Sequence, residues 1–132
     1  MIIAALDGRR MENKPVFLAP GSQWDVLFED TGHWRMGLYR PDALSRESVE
    51  TLEKHSCPEL FICAGERAGL VLFDGQRERC VDFQPYEAMM VSQHHNGYRI
   101  DAGGFFYVVE RSSFTTEYID RKTGKLIRRV ET

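Results

Sequence analysis

Cysteine is scarce in this sequence and odd in number, with Cys57, Cys63 and Cys80 among 132 residues. Three cysteines in apolar surroundings do not form a disulfide framework, so we predict reduced thiols and a cytoplasmic location. No apolar run approaches the roughly 20 residues that span a bilayer. The N-terminal "MIIAALDGRR" also lacks the charged-then-apolar order of a signal peptide. The sequence therefore predicts no membrane partner.

An excess of positive charge is also missing. The chain has 17 basic and 20 acidic residues, for a net charge of −3, and its basic residues form no block beyond short Arg-Arg pairs. Because nucleic-acid binding requires a basic face to neutralise phosphates, we predict no nucleic-acid partner. Internal repeats, low-complexity tracts and linkers are absent as well. The chain is expected to fold as a single domain over 1–132.

What the sequence does contain is a succession of short runs rich in β-branched and aromatic residues, which predict about ten strands. Asp74-Gly75 and the "RKTGKL" stretch at 121–126 are typical of β-hairpins, the first as a type I′ turn. One segment differs: Val49 and Leu52 lie three apart after a potential cap at Ser45, which predicts a short helix over 46–53. The expected fold class is all-β, an antiparallel barrel or sandwich with one short helix.

Chemistry-bearing side chains concentrate at His55, Cys57 and Glu59, immediately before the apolar run "LFI". In an extended strand these three residues share one face, with His55 and Cys57 ~6.6 Å apart, close enough to converge on one metal ion. His55 and Glu59 would be ~13 Å apart in a straight strand, so both can join the site only if the chain bends. Pro58 is the candidate for that bend, because it cannot donate to a β-ladder.

His94 and His95 are a second source of imidazole. Neighbouring strand residues face opposite ways, so we expect one of the two to point inward and the other outward. Two histidines and a carboxylate around open positions suit Fe(II), Mn(II) or Zn(II), and Cys57 as a ligand would favour softer ions. The alternative is ordinary structure: a histidine at a strand junction, a buried cysteine, and an Asn-Gly turn after His95.

Two segments of the chain resemble the paired motifs of the cupins, which are small antiparallel β-barrels of jelly-roll character. The segments are "HSCPELFICAG" at 55–65 and "FQPYEAMMVSQHHNGY" at 83–98. The resemblance matches His55 to the first motif histidine, Glu59 to the motif glutamate, and His94 or His95 to the last histidine. Cys57 stands where cupins have a second histidine. The resemblance implies a cupin-like fold that holds one divalent metal ion (Fe, Mn, Ni or Zn) or, in members without metal, only a ligand.

Two functions follow as hypotheses. In the first, an ion held by His55, Glu59 and His94 or His95, with or without Cys57, acts as a Lewis acid on a small oxygen-rich substrate. Glu59 is the candidate catalytic base if it is not a ligand. In the second, the same barrel is a non-catalytic module that binds a small molecule without metal or has a structural role as a dimer. A homodimer is expected in either case, with residues 14–30 as candidate partner-facing strands, because pairing removes an exposed sheet edge.

Overall fold

The structure is a computed structural model and describes residues 13–132. Over this range the chain forms two antiparallel sheets and almost no helix. The predicted all-β class is therefore confirmed. The strands are β1 (Trp24–Asp30), β2 (Trp34–Tyr39), β3 (Thr51–His55), β4 (Glu59–Cys63), β5 (Ala68–Phe73), β6 (Glu78–Phe83), β7 (Ala88–Val91), β8 (His94–Arg99), β9 (Phe106–Arg111), β10 (Thr115–Asp120) and β11 (Leu126–Glu131).

The two sheets are built from strands that are distant in sequence. One has five strands in the order β1-β2-β9-β4-β7, and the other has six in the order β11-β10-β3-β8-β5-β6. Consecutive strands β3 and β4 belong to different sheets, so the chain crosses the sandwich between His55 and Glu59. This crossing places the two ends of the predicted metal motif on opposite walls.

The main core fills the space between the sheets. Inward residues of β4 and β9, such as Phe61 and Phe106, pack against Leu70, Leu72 and Phe83 of the six-stranded sheet. Strict alternation produces this arrangement, because every second side chain of each strand points to the same face. A smaller cluster lies on the opposite face of the six-stranded sheet and is made by Val49, Leu52, Val71, Tyr98 and Ile119.

The helix predicted over 46–53 is wrong in extent. The structure has only a single 3₁₀ turn at Arg46–Ser48, and β3 begins at Thr51. Ser45 bonds the hydroxyl of Ser48 at 2.7 Å and makes no side-chain cap to the backbone. Leu52 is buried as predicted, but as part of β3, whose backbone groups are paired with β10. Ladder pairing thus overrides the weak helical spacing.

The hairpin predicted at Asp74-Gly75 is confirmed, but its turn is not the expected type I′. Gly75 has a φ of +102°, whereas Asp74 is not among the positive-φ residues of the described chain. Instead, the Asp74 carboxylate accepts hydrogen bonds from the backbone N–H groups of Gln76 and Arg77, both at 2.8 Å. An Asx-type side-chain contact therefore closes this loop. No helix within residues 13–132 has the length and apolar character required to cross a membrane.

Candidate metal centre between the two sheets

The crossing between β3 and β4 brings His55 and Glu59 together. His55 ends β3, Glu59 begins β4, and Ser56, Cys57 and Pro58 connect them. The segment is thus not one straight strand, and Nδ1 of His55 lies 3.2 Å from Oε1 of Glu59. A bend of the kind that a shared site requires therefore exists at this point of the chain.

The structure separates the neighbouring histidines of β8. His95 faces the space between the sheets and is 3% exposed, with its Nε2 3.0 Å from Oε1 of Glu59. His94 faces the other way, where its Nε2 lies 3.1 Å from a carboxylate oxygen of Glu117. The rings of His55 and His95 are 5.9 Å apart between centroids. The two segments about forty residues apart in sequence therefore meet, through His95 and not through His94.

One carboxylate oxygen is the focus of the arrangement. Oε1 of Glu59 is within 3.2 Å of an inner nitrogen of both His55 and His95. It is nevertheless a buried atom with no properly directed hydrogen bond in the described structure. A buried polar atom without a directed hydrogen bond is costly, because the loss of water is only partly compensated by nearby charge. Two imidazole nitrogens converging on such an oxygen form a donor set that a metal ion would satisfy.

The outer nitrogen of each imidazole is already engaged. Nδ1 of His95 donates to the backbone carbonyl of Gln93 at 2.8 Å, which leaves Nε2 for the inner side. Nε2 of His55 lies 3.0 Å from a carboxylate oxygen of Glu53, which leaves Nδ1 for the inner side. Histidines that bind metals are held in this way, with the second nitrogen donating to a carboxylate or a carbonyl. Both rings are therefore oriented for the same point.

A further carboxylate belongs to the cluster and was missed in the sequence. Glu110 of β9 is 4% exposed, and its Oε1 lies 3.0 Å from Nδ1 of His55. Its Oε2 accepts a hydrogen bond from Nε of Arg35 at 2.8 Å. Within the described residues, His55, Glu59 and Glu110 offer ligand atoms that all lie within 4.8 Å of one another. The sequence signal was present, because Glu110 follows Phe106 and Val108 at alternate, inward positions.

The charged groups of the cluster do not balance one another. Glu53, Glu59 and Glu110 contribute three negative charges, and Arg35 contributes one positive charge. With both imidazoles neutral, the cluster therefore carries −2, which one divalent cation or two protons would balance. Either occupant is expected to lie at the same position, since buried charge must be compensated where it lies.

The pKa shifts of the metal-free protein show how readily protons can occupy the cluster. Burial lowers the pKa of His55, but hydrogen bonds to Glu110 and Glu53 and the charge of Glu59 outweigh it and raise the pKa to about 10. Burial also opposes protonation of His95, yet Glu59 beside it raises that pKa. Burial raises the pKa of the Glu59 carboxyl, whereas the contacts from His55 and Arg35 lower that of Glu110 despite burial. Protons therefore bind this cluster readily when no metal competes.

The cluster forms one wall of a cavity of about 340 Å³ between the sheets. The remaining wall is largely aromatic, with polar groups at intervals, as is usual for a small-molecule site. Phe61 contributes to this wall, while Tyr98 packs in the smaller cluster on the other face of the six-stranded sheet. The other lining residues are Gln23, Trp24, Tyr39, Asn96, Val108, Phe114, Thr116, Tyr118 and Thr132.

Two residues of the sequence-based ligand set lie outside the cluster. Cys57 is buried in the β3–β4 connection and is not among the ligand atoms that converge with His55. His94 is on the opposite face of the six-stranded sheet, beside Glu117. The described structure thus groups His55, Glu59 and His95 of the predicted residues and adds Glu110, Glu53 and Arg35.

Several solved structures have a similar architecture. The structure is similar to a cupin-2 domain containing protein from Shewanella frigidimarina, with a TM-score of 0.50 and 12% identity over 70% of this chain and 82% of that chain. It is also similar to FeII HppE, with a TM-score of 0.52 and 9% identity over 76% of this chain and 56% of that chain. The chain has a cupin-like fold, as the resemblance of its two motifs predicted.

A hydroxypropylphosphonic acid epoxidase from S. wedmorenis matches with a TM-score of 0.47 and 10% identity over 59% of this chain. The chain spans 41% of the length of that protein. No family model matches the chain, and no curated protein matches it.

Proposed function

We propose that this protein is a metal-dependent cupin that binds one divalent ion between its sheets and acts on a small oxygen-bearing molecule in the adjoining cavity. His55, His95 and Glu59 are the proposed ligands, with Glu110 as a further carboxylate. When bound, the ion would supply a Lewis acid that polarises a substrate oxygen. The residues around it would orient the ligands and exclude water from the site.

A single observation supports this proposal most strongly. Both imidazoles have their outer nitrogens held by fixed acceptors, and their inner nitrogens lie within 3.2 Å of the same buried and unsatisfied oxygen of Glu59. A network evolved only to neutralise buried charge would be expected to direct an N–H at that oxygen. The two-histidine, one-carboxylate composition suits Fe(II), Mn(II), Ni(II) or Zn(II), with Fe(II) typical where positions remain open.

The β8 histidines provide a matched test of the metal. We expect the purified protein to hold close to one equivalent of a transition metal, measured by inductively coupled plasma mass spectrometry. His95→Ala should lose the metal, and isothermal titration with Mn(II) or Zn(II) should show at least a hundredfold loss of affinity. His94→Ala removes the same side chain from the adjacent position on the other face and should bind normally.

The result that contradicts the proposal is equally direct. If the wild-type protein, stripped with EDTA and offered Fe(II), Mn(II), Ni(II) and Zn(II), binds none of them, the metal proposal fails. Equal loss of binding in His94→Ala and His95→Ala would also contradict it. Thermal unfolding of each variant establishes that a loss of metal is not a loss of fold.

The second candidate is a metal-free binding module, and the raised pKa of His55 favours it. Three carboxylates around an imidazole stabilise its protonated form, so the cluster can be neutralised without metal. In that case Glu59, whose pKa is raised by burial, would be the candidate proton-transfer group.

A cytoplasmic location and a homodimer are also proposals. The location is supported by three free cysteines in the described chain.

A further inference from the structure

Arg35 lines the cavity but is not among the proposed metal ligands. It lies on β2 directly opposite Glu110 of β9, and its side chain is 16% exposed. Its Nε donates to Oε2 of Glu110 at 2.8 Å. Among the described residues, neither of its terminal nitrogens, Nη1 and Nη2, has a hydrogen-bond partner. Four of the five N–H donors of this guanidinium are therefore available at the wall of the cavity.

The guanidinium is held in place by two aromatic rings. Its central carbon lies 4.9 Å from the ring centroid of Phe114 and 5.6 Å from that of Trp24. Phe114 in turn stacks on the imidazole of His55, with centroids 4.4 Å apart and the planes at 17°. The aromatic contacts and the bond to Glu110 fix the plane of the group. A planar fork with a fixed orientation loses little conformational entropy when it binds a ligand.

We propose that Arg35 binds the carboxylate of a small organic monoanion whose body lies against the aromatic wall of the cavity. This inference deepens the proposed function, since it names the class of ligand for the same cavity. Two parallel N–H···O bonds between the free edge of a guanidinium and a carboxylate are the favoured geometry for this pair. Only one carboxylate, that of Glu110, separates the guanidinium from Nδ1 of His55. A ligand held by Arg35 can therefore present a second oxygen to the proposed metal.

The charge of the cavity favours a carboxylate over a phosphate. Arg35 is the only Lys or Arg among the described residues that line the cavity, and it shares the wall with Glu53, Glu59 and Glu110. A phosphate or phosphonate dianion would require more positive charge than one guanidinium provides. The aromatic residues of the wall, including Trp24 and Tyr118, suit the apolar body of an aromatic or branched carboxylate.

Binding of simple probes tests the role of Arg35. We expect benzoate to bind the EDTA-treated wild-type protein in a ligand titration followed by NMR, and benzamide, which has nearly the same shape without the charge, to bind at least tenfold more weakly. Arg35→Gln should abolish this preference for the anion, because a charge-assisted bond contributes roughly a tenfold to hundredfold change in affinity. Arg129→Gln removes an arginine whose carboxylate partner, Glu117, lies outside the cavity, and should leave the preference unchanged.

The ratio of benzoate to benzamide affinity is the decisive measurement, because a purely structural role of Arg35 would change both affinities together. Arg35→Lys keeps the charge without the fork and should retain part of the preference, which also covers the case in which Arg35→Gln does not fold. The proposal is overturned if benzoate does not bind, if Arg35→Gln keeps the wild-type ratio, or if inorganic phosphate binds more tightly than benzoate. The titrations use metal-free protein, so their failure is distinguishable from failure of the metal proposal.

Discussion

Glu53 shows how a residue behind a proposed metal ligand can control a site. Its carboxylate oxygen is 3.0 Å from Nε2 of His55, and that contact fixes which nitrogen of the ring faces Glu59. We expect Glu53→Ala to weaken metal binding by about 10–100-fold, the usual effect of removing the acceptor behind a histidine ligand. Isothermal titration with Zn(II) measures the change.

The matched control for Glu53 is the acceptor of the outward histidine. Glu117→Ala removes the carboxylate 3.1 Å from His94 and should leave the metal affinity unchanged. Glu53→Gln keeps an oxygen acceptor and should fall between Glu53→Ala and the wild type. Unchanged affinity in Glu53→Ala would show that His55 needs no such support.

The same residues predict how the metal-free protein responds to pH. The pKa of His55 in the folded protein is about 10, above its ordinary value of 6.5, so the folded state binds this proton more tightly than the unfolded state. The resulting stabilisation is complete below pH 6.5 and is lost as the pH rises through 10. The raised pKa of His95 acts in the same direction. Urea unfolding in EDTA should therefore give a lower free energy of unfolding at pH 9.5 than at pH 6.5.

Replacement of the central imidazole controls this prediction. In His55→Gln the fall in stability between pH 6.5 and 9.5 should be much smaller, although the variant is less stable overall. Glu110 acts at the acid end of the pH scale. Because its pKa is lowered in the folded protein, its carboxylate stabilises the fold above the ordinary carboxyl pKa, and this contribution is lost in acid. A wild-type stability that does not change between pH 6.5 and pH 9.5 would contradict the protonated form of the cluster.

Residue identity alone predicted part of the site. His55, Glu59 and the His94-His95 pair became candidates because they belong to the two motifs, but the choice between His94 and His95 depends on strand register. Arg35 and Glu110 form a cross-strand pair between β2 and β9, 75 residues apart in sequence. Their proximity follows only from the order of strands in the sheet, which local periodicity does not contain.

At the scale of elements, β2 depends on a glycine. An added Cβ at Gly37 would lie 2.1 to 2.6 Å from three ring atoms of Trp24. We expect Gly37→Ala to displace that ring from the guanidinium of Arg35 and to cost about 1–3 kcal/mol, as overpacking usually does. Urea denaturation measures the loss, and the tryptophan emission of the folded protein should shift.

A glycine with free space around it controls this change. Gly21 has nothing within 4 Å of an added Cβ, and Gly21→Ala should change stability by less than about 0.5 kcal/mol. If Gly37→Ala unfolds at the wild-type urea concentration, then Trp24 moves without cost and its packing on β2 is not a source of stability.

The elements themselves were largely predictable. Alternation and turn residues identified the strands and both hairpins, since each depends on local chemistry. The prediction of a helix over 46–53 was wrong because β3, which contains Leu52, pairs with β10, and Val49 lies just before that strand. Both apolar residues are buried in this extended segment. The break between β3 and β4 was foreseen only as a bend at Pro58, while the transfer of the chain from one sheet to the other was not.

At the scale of the whole molecule, the outer face of the five-stranded sheet is largely apolar on β2, β4, β7 and β9. Apart from Arg111, the residues that alternate there with the inward set are Trp34, Met36, Leu38, Leu60, Ile62, Ala88, Met90, Tyr107 and Val109, of which Leu38 is buried. Met90 is 60% exposed and Trp34 is 46% exposed. Exposed apolar patches of this kind mark interaction sites. The face is also bordered by β1, within the segment 14–30 expected to meet a partner.

We therefore predict that a second copy of the chain covers this face, since two apolar faces related by a twofold axis are self-complementary. Size-exclusion chromatography with light scattering should give twice the chain mass. Met90→Lys should shift the protein towards monomer. Leu126→Lys places the same charge at a 49% exposed position of β11 in the other sheet and should have no effect. A wild-type monomer at high micromolar concentration would contradict the prediction.

The crossing from β3 to β4 has a consequence for how the protein folds. His55 and Glu59 are neighbours in the nascent chain, but His95 and Glu110 join them through contacts across about 40 and 55 residues, which form slowly because long loops must close first. The complete ligand set therefore exists only after both halves of the sandwich have docked. Capture of a metal ion during refolding would mark the last step of assembly and not the first.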